Sequence, residues 1–216
     1  MNIYNVIILD ESGSMSSIYK PTLLSMNEVL GGIRKEQQDH PEQKNYVTIV
    51  TFEGEGMRGV KNRRDHVQIE NIADFTESDY QPGGCTPLYD AIGKTLHSLE
   101  PQIGKKDRVL VTVITDGYEN SSREYNVMIV KSLIDRLRGK GWTFAYIGAN
   151  QDAIEVARNL HIDNSLNYDA TPEGMEYLTN KFTKARRVSS KIWKEQEDAG
   201  VNMCMCRIFD IEEDKD

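Results

Sequence analysis

Hydrophobic and polar positions follow two periods that alternate along the chain. Short runs of apolar and β-branched residues predict buried strands at Ile3 to Leu9, Tyr46 to Phe52 and Arg108 to Thr115. Apolar residues at helical spacing predict helices in the stretches between them. The same pattern predicts two later strands at 142–148 and 165–169, an edge strand around Val67 and Ile69, and helices that begin near Thr22, Thr86, Arg123, Asp152 and Pro172.

This alternation indicates an α/β fold. We expect a three-layer, Rossmann-like, doubly wound sheet that is mostly parallel, with helices on both faces and one antiparallel edge strand. Residues 1–200 are predicted to form one domain, and residues 201–216 a flexible acidic C-terminal tail. The apolar stripe of the last helix, from Met175 to Ile192, favours core packing over a partner-binding face.

Charge argues against a nucleic-acid partner. The 26 basic and 34 acidic side chains give a formal net charge of −8, and the basic clusters at 61–64 and 184–187 are short. We expect both clusters to be solvated surface.

A cytoplasmic location is expected from the absence of a membrane signal. No apolar run approaches the roughly 20 residues that cross a bilayer, and Met1 leads into a strand without a basic region or cleavage site. Cys85, Cys204 and Cys206 cannot form a set of paired disulfides and lack the ligands of a structural zinc site, so reduced thiols are predicted.

Oxygen-bearing side chains follow two of the predicted strands and precede one helix. The stretch "VIILDESGSM" places Asp10, Ser12 and Ser14 after the first strand, "GGCTPLYD" places Thr86 before a helix, and "TDGYEN" places Asp116 after the fourth strand. In a strand order such as 3-2-1-4-5-6 the first and fourth strands are neighbours, so Asp10 and Asp116 would face each other at the switch point.

Two facing carboxylates repel each other unless a cation or hydrogen bonds compensate their charge. The neutral hydroxyls of Ser12, Ser14 and Thr86 complete a set of ligands that contains only oxygen. Such a set suits a hard cation, Mg²⁺ first, with Mn²⁺ or Ca²⁺ as alternatives. The competing interpretation is that Asp10 and the serines bond local backbone and that Asp116 begins an ordinary tight turn.

The residues of these three segments resemble the metal-ion-dependent adhesion site of von Willebrand factor A domains. That family carries Asp-x-Ser-x-Ser, then Thr, then Asp, and all five positions are present in order over about residues 1–200. The resemblance implies that Ser12 and Ser14 bind the metal directly, Thr86 directly or through water, and Asp10 and Asp116 mostly through waters. One coordination position would remain for the Asp or Glu carboxylate of a partner protein.

The resemblance further implies a non-enzymatic module of the stand-alone intracellular bacterial type, often an adaptor in a multiprotein assembly. It gives no fixed role to Glu11, Glu119 or Asn120, which we interpret as rim residues. The acidic side chains of residues 210–216 could occupy the metal from the same or a neighbouring chain, or merely aid solubility.

An enzyme is the alternative function. Strand-Asp-x-Ser-Gly-Ser is similar to the nucleophile loop of haloacid-dehalogenase-like phosphatases, in which Asp10 would attack phosphorus with Mg²⁺ beside it. That family usually has a second acid, or a Thr-Gly-Thr variant, where this chain has Ser12, and its lysine would have to come from Lys105 or Lys106 at the far end of a strand. We therefore predict no catalytic residues.

Overall fold

A six-stranded sheet forms the middle layer of the computed structural model, which describes residues 1–54, 59–149 and 153–210. Its strands are β1 (Asn2–Asp10), β2 (Lys44–Phe52), β3 (Val60–Gln68), β4 (Arg108–Thr115), β5 (Thr143–Ala149) and β6 (Asn164–Tyr168). They lie in the order β3-β2-β1-β4-β5-β6, and every pair is parallel except β2 with β3. The predicted fold class, with one antiparallel edge strand, is confirmed.

Helices cover both faces of this sheet. They are α1 (Tyr19–Asp39), α2 (Leu88–Leu99), α3 (Val127–Arg138), α4 (Ala153–Asn159) and α5 (Pro172–Asp198). Apolar residues of α1 and α5 pack on one face, and those of α2, α3 and α4 pack on the other. None of the helices in the described ranges is long and apolar enough to cross a membrane.

Three predicted helix starts differ from the structure, and a fourth lies outside the described residues. The first helix begins three residues before Thr22, directly after a short 3-10 helix at Gly13–Ile18. The second helix begins at Leu88, two residues after Thr86. The third begins at Val127, not Arg123, because Asn126 caps it and the backbone N–H groups of residues 123–125 donate to the Asp90 carboxylate. Asp152, the predicted start of the fourth helix, is not among the described residues.

The long helix α5 begins and packs as its sequence predicts. The side chain of Thr171 accepts a hydrogen bond from the backbone N–H of Gly174, and Pro172 occupies the first turn. Four residues of the predicted stripe, Met175, Leu178, Phe182 and Ala185, are buried against the sheet and α1. The stripe is therefore core.

A buried polar network joins α5, α1 and β1. Arg186 is almost fully buried, donates to the side-chain oxygen of Asn5, and lies 2.6 Å from Oε2 of Glu36. Ser190 Oγ lies 3.3 Å from the same Glu36 oxygen. The prediction that the basic cluster at 184–187 is solvated surface is wrong for Arg186, because a buried carboxylate compensates its charge.

Residues 201–210 pack against the sheet. Met205, Ile208 and Phe209 are buried, Met205 N donates to Thr143 Oγ1, and Ile208 N donates to Asn164 Oδ1. The boundary predicted at residue 200 therefore does not separate this segment from the domain core. Residues 211–216, which carry most of the predicted acidic tail, lie outside the described residues, and their flexibility stays a prediction.

Candidate metal centre

The candidate site lies where β1 and β4 end side by side. These strands are parallel neighbours, with Leu9 opposite Ile114, so the loops that follow them leave the same edge of the sheet. The loop before α2 reaches this edge as well, since Gly13 N donates to Gly84 O and Gly83 N donates to Glu11 O. The topology therefore brings together the three segments that carry the predicted ligands.

Hydroxyl and carboxylate oxygens of these segments are in direct contact. Ser12 Oγ lies 3.2 Å from Ser14 Oγ, and Ser14 Oγ donates to Asp116 Oδ1 at 2.5 Å. This second contact joins residues 102 positions apart in the chain. The structure thus places the first and last segments of the predicted site within hydrogen-bond distance of each other.

Gly117 shows how closely Thr86 approaches the same point. A Cβ atom at Gly117 would lie 3.1 Å from Thr86 Oγ1, 3.6 Å from Ser14 Oγ and 3.8 Å from Asp10 Oδ2. Oxygens of the two other segments of the predicted site therefore lie against this glycine. The missing side chain leaves the space between them open.

Asp10 is buried and held by hydrogen bonds. Its Oδ1 accepts from Ser12 N at 2.7 Å, and its Oδ2 accepts from Thr115 Oγ1 at 2.5 Å. Burial nevertheless raises the pKa of Asp10 to about 6, because the hydrogen bonds offset only part of the loss of solvent. Burial also raises the pKa of Asp116, which is 7% exposed. Each carboxylate carries a cost of ionisation that a cation would relieve.

The residues present fit a hard divalent cation. Five side chains offer oxygen alone, and no Lys, Arg or His forms an ion pair with Asp10 or Asp116 in the described ranges. The same ranges hold no group of three or more His, Cys, Asp and Glu side chains arranged for a metal. A cation here would be bound by two acids and three hydroxyls, which suits Mg²⁺ and excludes soft-metal chemistry by ligand type.

Glu11, interpreted from the sequence as a rim residue, is fully buried and contacts the edge strand. Its carboxylate pairs with Arg63 at 3.0 Å and Lys61 at 3.3 Å, both on β3, and accepts from Gln81 N at 2.6 Å. These contacts fix the loop after β1 to the edge strand β3. Arg63 and Lys61 are half-buried partners of an acid, so the prediction of solvated surface is wrong for them too.

Asn120 and Glu119 also hold loops together. Asn120 Oδ1 accepts from Thr86 N at 2.8 Å while Asn120 N donates to Thr86 O at 3.2 Å, a reciprocal pair that fixes the threonine. Glu119 accepts from the backbone of Ser121, Ser122 and Tyr89. The sequence offers no signal for these roles, because an Asn or Glu after Asp-Gly is equally typical of a solvated turn.

The profile of the von Willebrand factor type A domain matches residues 6–188. The chain belongs to this family. VWA domains are typically protein-interaction modules without catalytic activity, so the family shown here is one of binding modules. The matched range contains all five predicted ligands.

Solved structures share the fold at low sequence identity. The proximal thread matrix protein 1 of the mussel byssus aligns with a TM-score of 0.59 at 13% identity, over 84% of this chain and 45% of that one. A D319A mutant of the PilB minor pilin of Streptococcus sanguinis aligns with a TM-score of 0.62 at 13% identity, over 89% of this chain and 62% of that one. The SpRpn10 VWA domain aligns with a TM-score of 0.60 at 14% identity, over 82% of this chain and 94% of that one.

These likenesses concern the fold alone. The chain spans about half the length of the mussel protein and about three fifths of the pilin. No curated protein sequence matches it.

Proposed function

We propose that this VWA domain is a non-enzymatic binding module in which a divalent cation captures an Asp or Glu carboxylate of a partner protein. The observation that carries the proposal is the pair of buried acids, Asp10 and Asp116, surrounded by hydroxyl oxygens and lacking any basic partner in the described ranges. Mg²⁺ is the proposed ion, with Mn²⁺ or Ca²⁺ as substitutes.

The side chains divide the coordination between them. Ser12, Ser14 and Thr86 would hold the ion through neutral hydroxyls, while Asp10 and Asp116 orient those hydroxyls or act through waters. When bound, the cation would supply a positive charge that neutral hydroxyls contact directly and the acids reach mostly through waters, and such a charge favours an anionic ligand. Ser14 is exposed, so the site opens towards solvent on the side that a partner would approach.

The rim around this opening differs from the sequence-based interpretation. Glu11 is buried, whereas Tyr118 is 59% exposed and follows Gly117 directly in the loop after β4. An exposed aromatic side chain next to a charged centre suits a protein interface, where tyrosine supplies much of the contact area. We infer that Tyr118 packs against the partner beside its acidic residue.

The phosphatase alternative gains no support from the site. Both oxygens of Asp10 accept hydrogen bonds and its side chain is fully buried, so its carboxylate is poorly placed to attack a phosphorus atom. Lys105 and Lys106 precede β4, at the opposite edge of the sheet from Asp116. We therefore propose no enzymatic activity.

The first experiment measures metal binding. Titration calorimetry with Mn²⁺ and Mg²⁺ should show one site in the wild-type protein and loss of binding in the double variant Ser12→Ala/Ser14→Ala. The matched control is Ser16→Ala/Ser98→Ala, which removes two exposed hydroxyls, one on the 3-10 helix that contains Ser14 and one on α2. Equal divalent binding by the wild-type protein and by the Ser12/Ser14 variant contradicts the proposed centre.

The second experiment tests capture of a carboxylate. Partners recovered from native lysate in Mg²⁺ should be lost in chelator and lost with the Ser12→Ala/Ser14→Ala protein. A recovered partner is then tested with its acidic residues replaced one at a time, and one replacement should abolish the metal-dependent binding. A partner that binds equally well in chelator, or that tolerates every acidic replacement, overturns the capture mechanism.

We also propose an adaptor role inside the cell. Cys85, Cys204 and Cys206 are free thiols in the structure, which suits a reducing compartment. The formal net charge of −8 disfavours nucleic acid as the partner. We propose a protein partner, no membrane contact, and an assembly whose oligomeric state gel filtration with light scattering would establish.

A further inference from the structure

Tyr168 combines burial with a hydroxyl that has no partner. It ends β6, is 5% exposed, and its hydroxyl finds no hydrogen-bond partner among the described residues. A buried hydroxyl is usually paired, because leaving it without a partner sacrifices the hydrogen bonds that water would have made. This hydroxyl is therefore expected to have a partner in the functional state of the protein.

The sheet places Tyr168 level with Asp116. Thr115 pairs with Gly148, so Asp116 is level with Ala149, and Ala149 pairs with Tyr168. Two strand spacings separate Asp116 from Tyr168, or about 10 Å between their backbones. The small side chain of Ala149 lies between them, and Ala149 and Tyr168 pack on the same face as Ile114, two residues before Asp116.

The electrostatics agree with this placement. Burial, followed by the negative charges of Asp116 and Asp10, raises the pKa of Tyr168. A second tyrosine provides a contrast: the hydroxyl of Tyr80 donates to the backbone oxygen of Asp10 at 2.9 Å and is thus satisfied. Beneath the metal centre, one tyrosine hydroxyl is paired and the other is not.

We propose that Tyr168 is a positioning residue of the metal centre, whose hydroxyl donates a hydrogen bond through one ordered water to the carboxylate of Asp116. A water placed across the small side chain of Ala149 would have two polar groups to hold it, the tyrosine hydroxyl and the carboxylate. The hydrogen bond would orient Asp116 and stabilise its ionised form. This inference rests on the proposed function, because Asp116 is one of its metal ligands.

The test replaces Tyr168 by Phe, which keeps the ring and removes the hydroxyl. Mn²⁺ affinity by calorimetry should fall about 10- to 100-fold, the usual effect of losing a residue that orients a metal ligand. Stability in chelator, from urea unfolding, should be unchanged or higher, because the hydroxyl that is removed has no partner in the metal-free protein. A purely structural role would lower stability instead.

The matched control is Thr112→Val. Thr112 is buried on the same face, its hydroxyl likewise lacks a partner in the described ranges, and it lies four residues along β4 from Asp116, or about 13 Å. Its Mn²⁺ affinity should equal that of the wild-type protein.

Each other outcome overturns the proposal in a distinguishable way. If the wild-type protein binds no Mn²⁺, both the proposed function and the role of Tyr168 are refuted. If the wild-type protein binds Mn²⁺ and Tyr168→Phe binds it equally well, only the role of Tyr168 is refuted. The same holds if Tyr168→Phe is less stable in chelator, or if Thr112→Val loses affinity to the same extent.

Discussion

Asp10 should make the metal-free protein less stable as the pH rises. Burial raises the pKa of its carboxyl from an ordinary value of 3.8 to about 6, so the folded protein holds a proton that the unfolded chain releases. The stabilisation from this proton is fully present below the unfolded pKa and is lost as the pH rises through 6. Asp116 has a raised pKa too and acts in the same direction.

The magnitude follows from the size of the shift. A change from 3.8 to about 6, at 1.36 kcal/mol per pKa unit, corresponds to about 3 kcal/mol of unfolding free energy between pH 4 and pH 8. Other acids oppose this trend: the pKa values of Asp79, Asp90 and Glu100 are lowered, so the stability that they contribute is lost on acidification. The total profile of the protein therefore mixes both signs.

The variant Asp10→Asn isolates the effect of one group. It keeps the shape of the side chain and cannot ionise, so the difference between wild-type and variant unfolding free energies cancels the other acids. Urea unfolding of both proteins is measured in chelator from pH 4 to pH 8. The unfolding free energy of the wild-type protein minus that of the variant should fall by about 3 kcal/mol over this range. In the wild-type protein, Mg²⁺ affinity should rise by up to about tenfold per pH unit below pH 6 and level off above pH 7, because binding displaces the proton.

A flat difference between pH 4 and pH 8 would falsify the reasoning, because it would mean that Asp10 ionises in the folded state as easily as in water. Mg²⁺ affinity that is constant from pH 5 to pH 7 would contradict the coupling separately. In that case Asp10 would already be ionised before the metal arrives.

Three further outcomes are expected. Gly117→Ala should weaken Mn²⁺ binding, measured by calorimetry, because the added Cβ would lie 3.1 Å from Thr86 Oγ1. Unchanged affinity would mean that the loop after β4 shifts to accommodate the added atom without disturbing the site. Arg63→Ala should lower the unfolding free energy by about 3 kcal/mol, since it leaves Lys61 as the only basic partner of buried Glu11 in the described ranges. The control Lys194→Ala, at an exposed i,i+4 pair, should leave the urea midpoint nearly unchanged, and similar midpoints for the two variants would refute the difference. Deleting residues 211–216 should leave the Mg²⁺-dependent affinity for an acidic partner unchanged. The preceding segment packs at the start of β6, opposite the metal edge, and six residues extend only about 20 Å. Tighter binding after the deletion would show that the tail competes with the partner.

Local pattern was sufficient for the fold, and it locates the five proposed ligands relative to the helices and strands. The strand Arg108–Thr115 is buried along its whole length, and after Arg108 its residues are all apolar or β-branched. Asp10, Ser12, Ser14, Thr86 and Asp116 stand at the ends of elements that the periodicity already defines. Because parallel strands end at one edge, the order of the strands brings the loops after β1 and β4 together. Thr86 reaches the same edge through backbone hydrogen bonds between its own loop and the loop after β1.

Pairing across long sequence separations could not be predicted. Glu11 and Arg63 are 52 residues apart, and Arg186 and Glu36 are 150 apart, so neither charge carries a local sign of its partner. A Lys-Arg cluster looks the same in the sequence whether water or a buried acid compensates it. The role of Tyr168 was hidden for the same reason, since it depends on which strand lies beside β5.

The buried charge of Arg186 fixes the register of α5 along the sheet. Sliding the helix by one turn, about 5.4 Å, would carry the guanidinium away from Glu36 and Asn5 and into the apolar layer around Ile33 and Phe182. An unpaired charge in such a layer costs several kcal/mol, so one register of α5 on the sheet is strongly preferred. Communication between the metal edge and the far end of this domain would therefore have to pass through loop rearrangement and not through translation of its longest helix.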